Sequence, residues 1–510
     1  MRHSMKVRHQ PRESNRDPLI AVAIALGAIH LIIVVVVAAS RLAYPFELDW
    51  FEGALLEQTL RVLSGQSIYV APSVTYVPLV YPPLFNYAAA AMAVVVGPGF
   101  AALRSVSVLA AAATLVMVGA YVTRETGRRL AGFFAAALYA AGQHLAESWL
   151  DVGRSDSLFL SLIVAGAFVH RGRSQGRIAP IAAGALWALA FLCKQSAPVV
   201  LAPLLVWLMV REGPRGRIAV GTFAALSAIG WWAIDASSSG WFRYYALSVP
   251  RKFSIDLTLA ARFLIEMAPL LPAVALAVAG TWRRFRERSG TVGFHVAFVL
   301  GLILSSWQLR LYPGAGGNVL LAAVLGAALA AGLGFGWLAQ RQSMPARIRL
   351  AAGLALCVQL ALLLRNPLAE IPRNEDRLAG ESLVRRLTQS AGPVYVSSHP
   401  YLARRATSRT NVHIAPLMDM VRMPRDSIQD GLWRELGDSL RARAWSVLVL
   451  DQRDWLIEEA HAAGYREVAR IFPEPDAFWP VTGYRTRPEW VLAPEERVEP
   501  DTTPDSSASR

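Results

Sequence analysis

The segment Glu47-Leu48-Asp49-Trp50-Phe51-Glu52-Gly53 places three carboxylates within six positions, shortly after the long apolar run 20–39. Acids in such a place could do two kinds of chemistry: take the proton from a hydroxyl whose pKa lies far above 7, or hold a hard divalent cation through oxygen. Basic residues at other helix ends, Arg104, Arg154, Lys194, Arg251 and Lys252, could grip an anionic phosphate, Arg bidentately and Lys as a point charge. Plainer uses compete. Acids beside Trp and Phe at a membrane surface can be ordinary interfacial residues, Arg104 and Arg154 can pair with Asp151 or Asp156, Asp156 can cap a helix N-terminus, and Arg251-Lys252 can snorkel.

Other chemistries find little support. The only cysteines, Cys193 and Cys357, lie inside apolar stretches, so neither a disulfide framework nor a Cys-based zinc site is indicated. His144, His295 and His399 have no ligand partners at a recognisable spacing, and no Gly-rich loop opens a helix after a strand as nucleotide sites require. The net charge of +14 does not imply nucleic acid, because the basic residues come one short loop at a time without interleaved aromatics.

The elements that must carry these residues are membrane helices. Hydrophobic residues make up 54% of the 510 positions and charged residues 17%, and residues 20–39 are apolar on every face over a bilayer-spanning length. Spans are predicted at 18–40, 102–122, 130–148, 157–170, 178–193, 196–210, 217–235, 262–282, 291–307, 317–338 and 349–365, about eleven crossings in a polytopic all-α bundle. The first is expected to be retained rather than cleaved, since its apolar core exceeds a signal h-region and no small-residue cleavage motif follows. With the basic N-terminus (1–17) in the cytoplasm, the Arg-dense loops 124–129, 171–177, 211–217, 283–288 and 341–349 share that side. The stretch 81–98 must then be a juxtamembrane helix inside a long external loop, 41–101, rather than a crossing. The same alternation puts Asp49, Glu52, Asp156, Lys194 and the other listed cations on one outer face.

Residues 366–493 change character. Strand-like 393–397 and 446–450 alternate with amphipathic segments, predicting a small soluble α/β domain. The tail 494–510 lacks apolar residues to bury and is expected to be disordered. Trp433, Trp455, Trp479 and Trp490 could stack on sugar rings, although core packing is the commoner use.

Over residues 18–340 the chain resembles the GT-C superfamily of membrane glycosyltransferases, specifically bacterial relatives of protein O-mannosyltransferases (glycosyltransferase family 39) and lipid A aminoarabinose transferases. The elements that carry the resemblance are Asp49 with Glu52 in the first external loop, Gly65 with Tyr69, Tyr81-Pro82-Pro83-Leu84, Arg104, Arg154 with Asp156, and Lys194-Gln195. Two departures stand out: the second carboxylate lies three positions after Asp49 instead of beside it, and Asn318 is followed by Val319 where relatives have Tyr.

The resemblance implies an inverting transferase working at the outer face of a bacterial inner membrane. Its donor would be a polyprenyl-phosphate sugar and its acceptor a hydroxyl of a lipid, glycan or protein. Asp49 would be the general base and Glu52 the second catalytic carboxylate, while Tyr81, Arg104, Arg154, Asp156, Lys194, Gln195, Arg251 and Lys252 would bind substrate or phosphate. No cofactor is assigned, and a divalent cation, Mg or Mn, could be held by Asp49, Glu52 and Asp156 together. Two alternatives belong to other classes: a transporter or flippase of lipid-linked sugars, and a non-catalytic envelope assembly protein. The first would need polar residues along a path through the bilayer and paired broken helices, whereas mid-span positions here are overwhelmingly Ala, Leu and Val.

Overall fold

The structure is a computed structural model and describes residues 18–172, 176–287, 290–340, 345–421, 426–452 and 454–495. The basic N-terminus and the tail after 495 lie outside the described residues. Every predicted span falls on helix. Among the described residues, six helices are long and apolar enough to cross a membrane: Pro18–Leu42, Phe100–Thr126, Gly213–Ser237, Leu257–Arg286, Val292–Arg310 and Gly317–Ala339. A seventh crossing is formed if Ala346–Leu362 and Pro367–Thr388, bent by 52°, count as one. Ser155–His170, Ile178–Cys193 and Ala197–Arg211 are shorter apolar helices, as is Leu84–Val96 from the predicted juxtamembrane stretch.

The chain divides into two compact units. The first holds residues 1–42, 104–231 and 254–371. Its axis is Leu321–Leu338, an Ala- and Gly-rich helix buried along nearly its whole length. Small residues let neighbours approach without the water-driven term that packs soluble cores. A Cβ on Gly280 would lie 2.3 Å from the backbone of Gly334, and one on Gly301 would lie 1.9 Å from the carbonyl oxygen of Val200. Peripheral helices turn bulky apolar side chains outward, Val35 being 67% exposed and Val116 71%, the arrangement that suits lipid rather than water.

Polar side chains of this unit gather at alternate helix ends. At one end Arg171 pairs with Glu125 at 2.9 Å, His295 donates to or accepts from Tyr121 at 2.8 Å, and His170 meets Glu212 at 2.5 Å. At the other, Arg41 pairs with Asp151 at 2.8 Å, and Asp156 with Lys194 at 2.6 Å. The helix middles between them are apolar, as the charge pattern predicts.

The second unit holds residues 43–103, 232–253 and 372–510. Four strands, β1 (Val394–Val396), β2 (Val447–Asp451), β3 (Tyr465–Arg470) and β4 (Pro488–Pro494), form a sheet in the order β1-β2-β4-β3. β1 and β2 are parallel, which demands a crossover; Pro400–Thr407, Ile414–Val421 and Ser427–Arg441 supply it. β2 is apolar and buried at Leu448, Val449 and Leu450, as a strand covered on both faces should be. The two predicted strands are β1 and β2; β3 and β4 carry Arg, Glu and Pro and escape a hydrophobic-run reading.

This grouping cuts across the expected segments, a membrane part 18–365 that includes the loop 41–101 and a soluble domain 366–493. Residues 43–103 instead pack with the C-terminal sheet, because the loop has only two helices of its own, Glu52–Leu63 and Leu84–Val96, and buries its aromatic side chains on the later segment. Phe46 meets Phe478 at 5.1 Å, and Phe100 meets Tyr401 at 5.0 Å.

Because Gly280 has no room for a side chain, Gly280→Leu should force the Leu271–Arg286 and Leu321–Leu338 helices apart. The expected loss is about 2–4 kcal/mol, at or above the usual range for an overpacked core, read as a lower midpoint in thermal unfolding of detergent-solubilised protein; Gly221→Leu, at a position with open space around it, is the matched control.

Candidate active site

Asp49 sits in the short connection before the Glu52–Leu63 helix and is fully buried. Its carboxylate accepts the backbone N–H of Phe51 at 3.2 Å, and its carbonyl accepts from Glu52 N at 3.0 Å. Glu52 closes the turn from the other side, accepting the Leu48 N–H at 2.8 Å. Both side-chain bonds are local to the turn: the Glu52 carboxylate reaches back four residues to the Leu48 backbone, and the Asp49 carboxylate reaches forward two to Phe51.

The residues flanking Asp49 are held from outside the loop. Glu47 meets His399 Nδ1 in a short ion-paired hydrogen bond, and His399 Nε2 lies 3.7 Å from Asp451 at the end of β2. The Leu48 carbonyl accepts from Thr482 N at 3.2 Å, and the Trp50 carbonyl accepts from His413 Nε2 at 2.8 Å. Arg405 donates to the Pro45 carbonyl at 3.0 Å. Glu47 also lies over Gly53: a Cβ there would come within 2.1 Å of its carboxylate oxygen, so the glycine of the motif is sterically required. Trp50, Phe51, His413 and Tyr484 form an aromatic cluster, with Trp50 and Tyr484 rings 5.3 Å apart.

Charge is managed closely in this buried cluster. Burial opposes the imidazolium of His399, but the Glu47 and Asp451 carboxylates outweigh it and hold the group up to about 10. Burial pushes Glu47 up to about 8 against the pull of His399. Burial drives His413 down to about 3, which keeps it neutral with Nε2 free to donate to Trp50 and Nδ1 to accept from Ala415 N.

The cations fall in two groups. In the first unit, Asp156 stands in the first turn of Ser155–His170 and Lys194 just past the end of Ile178–Cys193, so an acid at a helix N-terminus meets a base at a helix C-terminus at 2.6 Å. Asn318 donates to the same carboxylate oxygen at 3.0 Å, and Arg154 lies 3.7 Å from Asp156 with its guanidinium over Trp149. Gln195 follows in the turn after Lys194, half-buried. Arg104, fully buried, donates to the Arg41 carbonyl at 3.0 Å and ties two helix ends together. In the second unit, Lys252 is held by Asp426 at 3.0 Å and Gln429 at 2.8 Å, while Arg251 is exposed. Tyr81 contributes its backbone carbonyl to the Tyr69 hydroxyl at 2.6 Å.

Sequence reasoning put Arg154, Asp156 and Lys194 on one face without pairing them, and noticed Asn318 only as a departure. It did not group Glu47, His399, Asp451 and His413. Glu47 and His399 are 352 positions apart, and Trp50 and His413 are 363 apart, so no local spacing could have revealed those contacts. Among the described residues no group of three or more His, Cys, Asp or Glu side chains is arranged to hold a metal ion. The Glu52 carboxylate serves the Leu48 N–H.

Residues 80–234 match the family of dolichyl-phosphate-mannose-protein mannosyltransferases. That stretch includes Tyr81, Arg104, Arg154, Asp156, Lys194 and Gln195. No curated protein matches the chain by sequence. Among solved structures, ArnT from Cupriavidus metallidurans bound to undecaprenyl phosphate is similar with a TM-score of 0.56 and 14% identity, covering 92% of this chain and 97% of that one. The Archaeoglobus fulgidus oligosaccharyltransferase, in complex with Zn and sulfate, is similar with a TM-score of 0.51 and 12% identity over 85% of this chain and 68% of that one. The same archaeal enzyme, AglB, has also been solved with an inhibitory peptide and a dolichol-phosphate, at a TM-score of 0.51. Apolar helices, a matched segment and a shared fold converge: the chain has helices fit to cross a membrane, is similar over residues 80–234 to that mannosyltransferase family, and has the fold seen in ArnT and in the archaeal oligosaccharyltransferase.

Proposed function

We propose that the protein is an inverting glycosyltransferase that moves a monosaccharide from a polyprenyl-phosphate carrier to an acceptor hydroxyl. The observation that carries the reading is Asp49, a fully buried carboxylate on a turn whose neighbouring residues are each held in place. Transfer needs a fixed base to take the acceptor proton as the new glycosidic bond forms. The leaving group needs no acid, because a polyprenyl phosphate departs as an anion. Cations must meet that phosphate, and Lys194 and Arg154 are assigned this part, with Asp156 and Asn318 orienting Lys194. Arg251 and Lys252 are further phosphate contacts, Tyr81 and Gln195 line the substrate path, and Arg104 holds helix ends. Glu52 shapes the turn that presents Asp49.

Support comes from ArnT, similar along its whole length and solved with undecaprenyl phosphate, and from AglB, solved with a dolichol-phosphate. The proposed setting is a bacterial inner membrane crossed eleven times, with the Asp49 turn and the C-terminal α/β domain outside. Mid-span positions that are overwhelmingly Ala, Leu and Val favour chemistry at a surface over passage of lipid through the bilayer.

Asp49→Asn should reduce transfer from a polyprenyl-phosphate mannose probe at least about a hundredfold, the usual weight of a general base, with unchanged yield and melting behaviour; an active Asn variant would reject the mechanism. Lys194→Met should weaken undecaprenyl phosphate binding about tenfold or more, as loss of a charge-assisted hydrogen bond does. The readout is the lipid's protection of the protein against thermal unfolding, and unaltered protection would remove Lys194 from the phosphate site.

A further inference from the structure

The C-terminal sheet domain does more than cap the loop that carries Asp49. Within one compact unit, residues on both sides of Asp49 are gripped by it: Pro45 by Arg405, Glu47 by His399, Leu48 by Thr482 and Trp50 by His413. The turn's own ties include the Leu48 to Glu52 and Phe51 to Asp49 side-chain hydrogen bonds and the Glu52 N–H to the Asp49 carbonyl. A short loop tied by local bonds opens more readily than one also anchored at four points to a folded domain.

We infer that His399 is a positioning residue that latches the Asp49 turn to the C-terminal domain by bridging Glu47 and Asp451. The bridge has a defined geometry. Both ring nitrogens face carboxylates, Thr486 donates its hydroxyl to Asp451, and Gly53 leaves the space that the Glu47 carboxylate fills. Tyr401 packs beside His399 with ring centroids 6.5 Å apart, and His413 faces it as a neutral ring. His399 touches no reacting group, so its effect on turnover passes through the placement of Asp49. That part rests on the glycosyltransferase reading; the latch itself does not.

The bridge also fixes the direction of a pH effect. His399 is raised from 6.5 to about 10 and Glu47 from 4.5 to about 8, so the folded state binds more protons than the unfolded chain across that range. The stabilisation from His399 is complete below pH 6.5 and is lost as pH rises through about 10. Melting of the full chain should therefore fall between pH 7 and 10, and His399→Gln should flatten that slope; an equal slope in the variant would place the titrating group elsewhere.

The deciding experiment is hydrogen–deuterium exchange on the full chain in lipid nanodiscs, followed over peptides spanning 44–53 and, as a fold control, over β2. In His399→Gln and in Glu47→Gln, exchange over 44–53 should be at least about tenfold faster than in the parent, with β2 unchanged, while Asp49→Asn should exchange like the parent. With polyprenyl-phosphate mannose as probe, the two latch variants should lose kcat with KM for the donor nearly unchanged. Parental protection over 44–53 in both variants overturns the latch. If His399→Gln also deprotects β2, Glu47→Gln, placed on the loop side, decides. Faster loop exchange together with an active Asp49→Asn would keep the latch and reject the base.

Discussion

Asp49 is held in place because the backbone on both sides of it is tied to the C-terminal segment. That constraint organises the second unit. The Glu47–His399–Asp451 bridge buries two acids and a base together, an arrangement that is costly unless every charge finds an opposite one, and it does so beside the turn whose position matters most. The neutral His413 and the Thr482 amide complete the hold on backbone carbonyls that would otherwise be unsatisfied away from water.

The first unit solves a related problem by other means. Its helices approach through Gly and Ala, and Arg41–Asp151, Arg171–Glu125 and Asp156–Lys194 meet as pairs of opposite charge at or beside helix ends. The Asp156–Lys194 pair uses the polarity of two neighbouring helices: the acid at an N-terminus and the base at a C-terminus are each favoured by the peptide dipoles around them. Asn318 and Arg154 complete the set around Asp156.

Much of this could be read from the sequence. Helix positions follow from runs that are apolar on all faces, and the Arg154, Asp156 and Lys194 group follows from charges interrupting such runs. β1 and β2 follow from short Val- and Leu-rich stretches. What could not be read is pairing at a distance: Glu47 looks like one more acid in a cluster, and His399 like an isolated histidine, until folding sets them together. β3 and β4 are hidden for a different reason, being strands whose outer faces carry charge. The tie from Glu52 back to the Leu48 backbone is local, but the spacing of Asp49 and Glu52 reads first as a weakened catalytic pair.

The separation between Glu47 and His399 is 352 residues, nearly the length of the membrane-embedded helices that lie between them in the chain. During synthesis the Asp49 turn leaves the ribosome long before the histidine that secures it has been made, and a nascent chain folds its segments as they emerge. The hold on the Asp49 turn is therefore completed last, once the C-terminal sheet has formed, and a product cut short before His399 lacks the partner of Glu47 altogether.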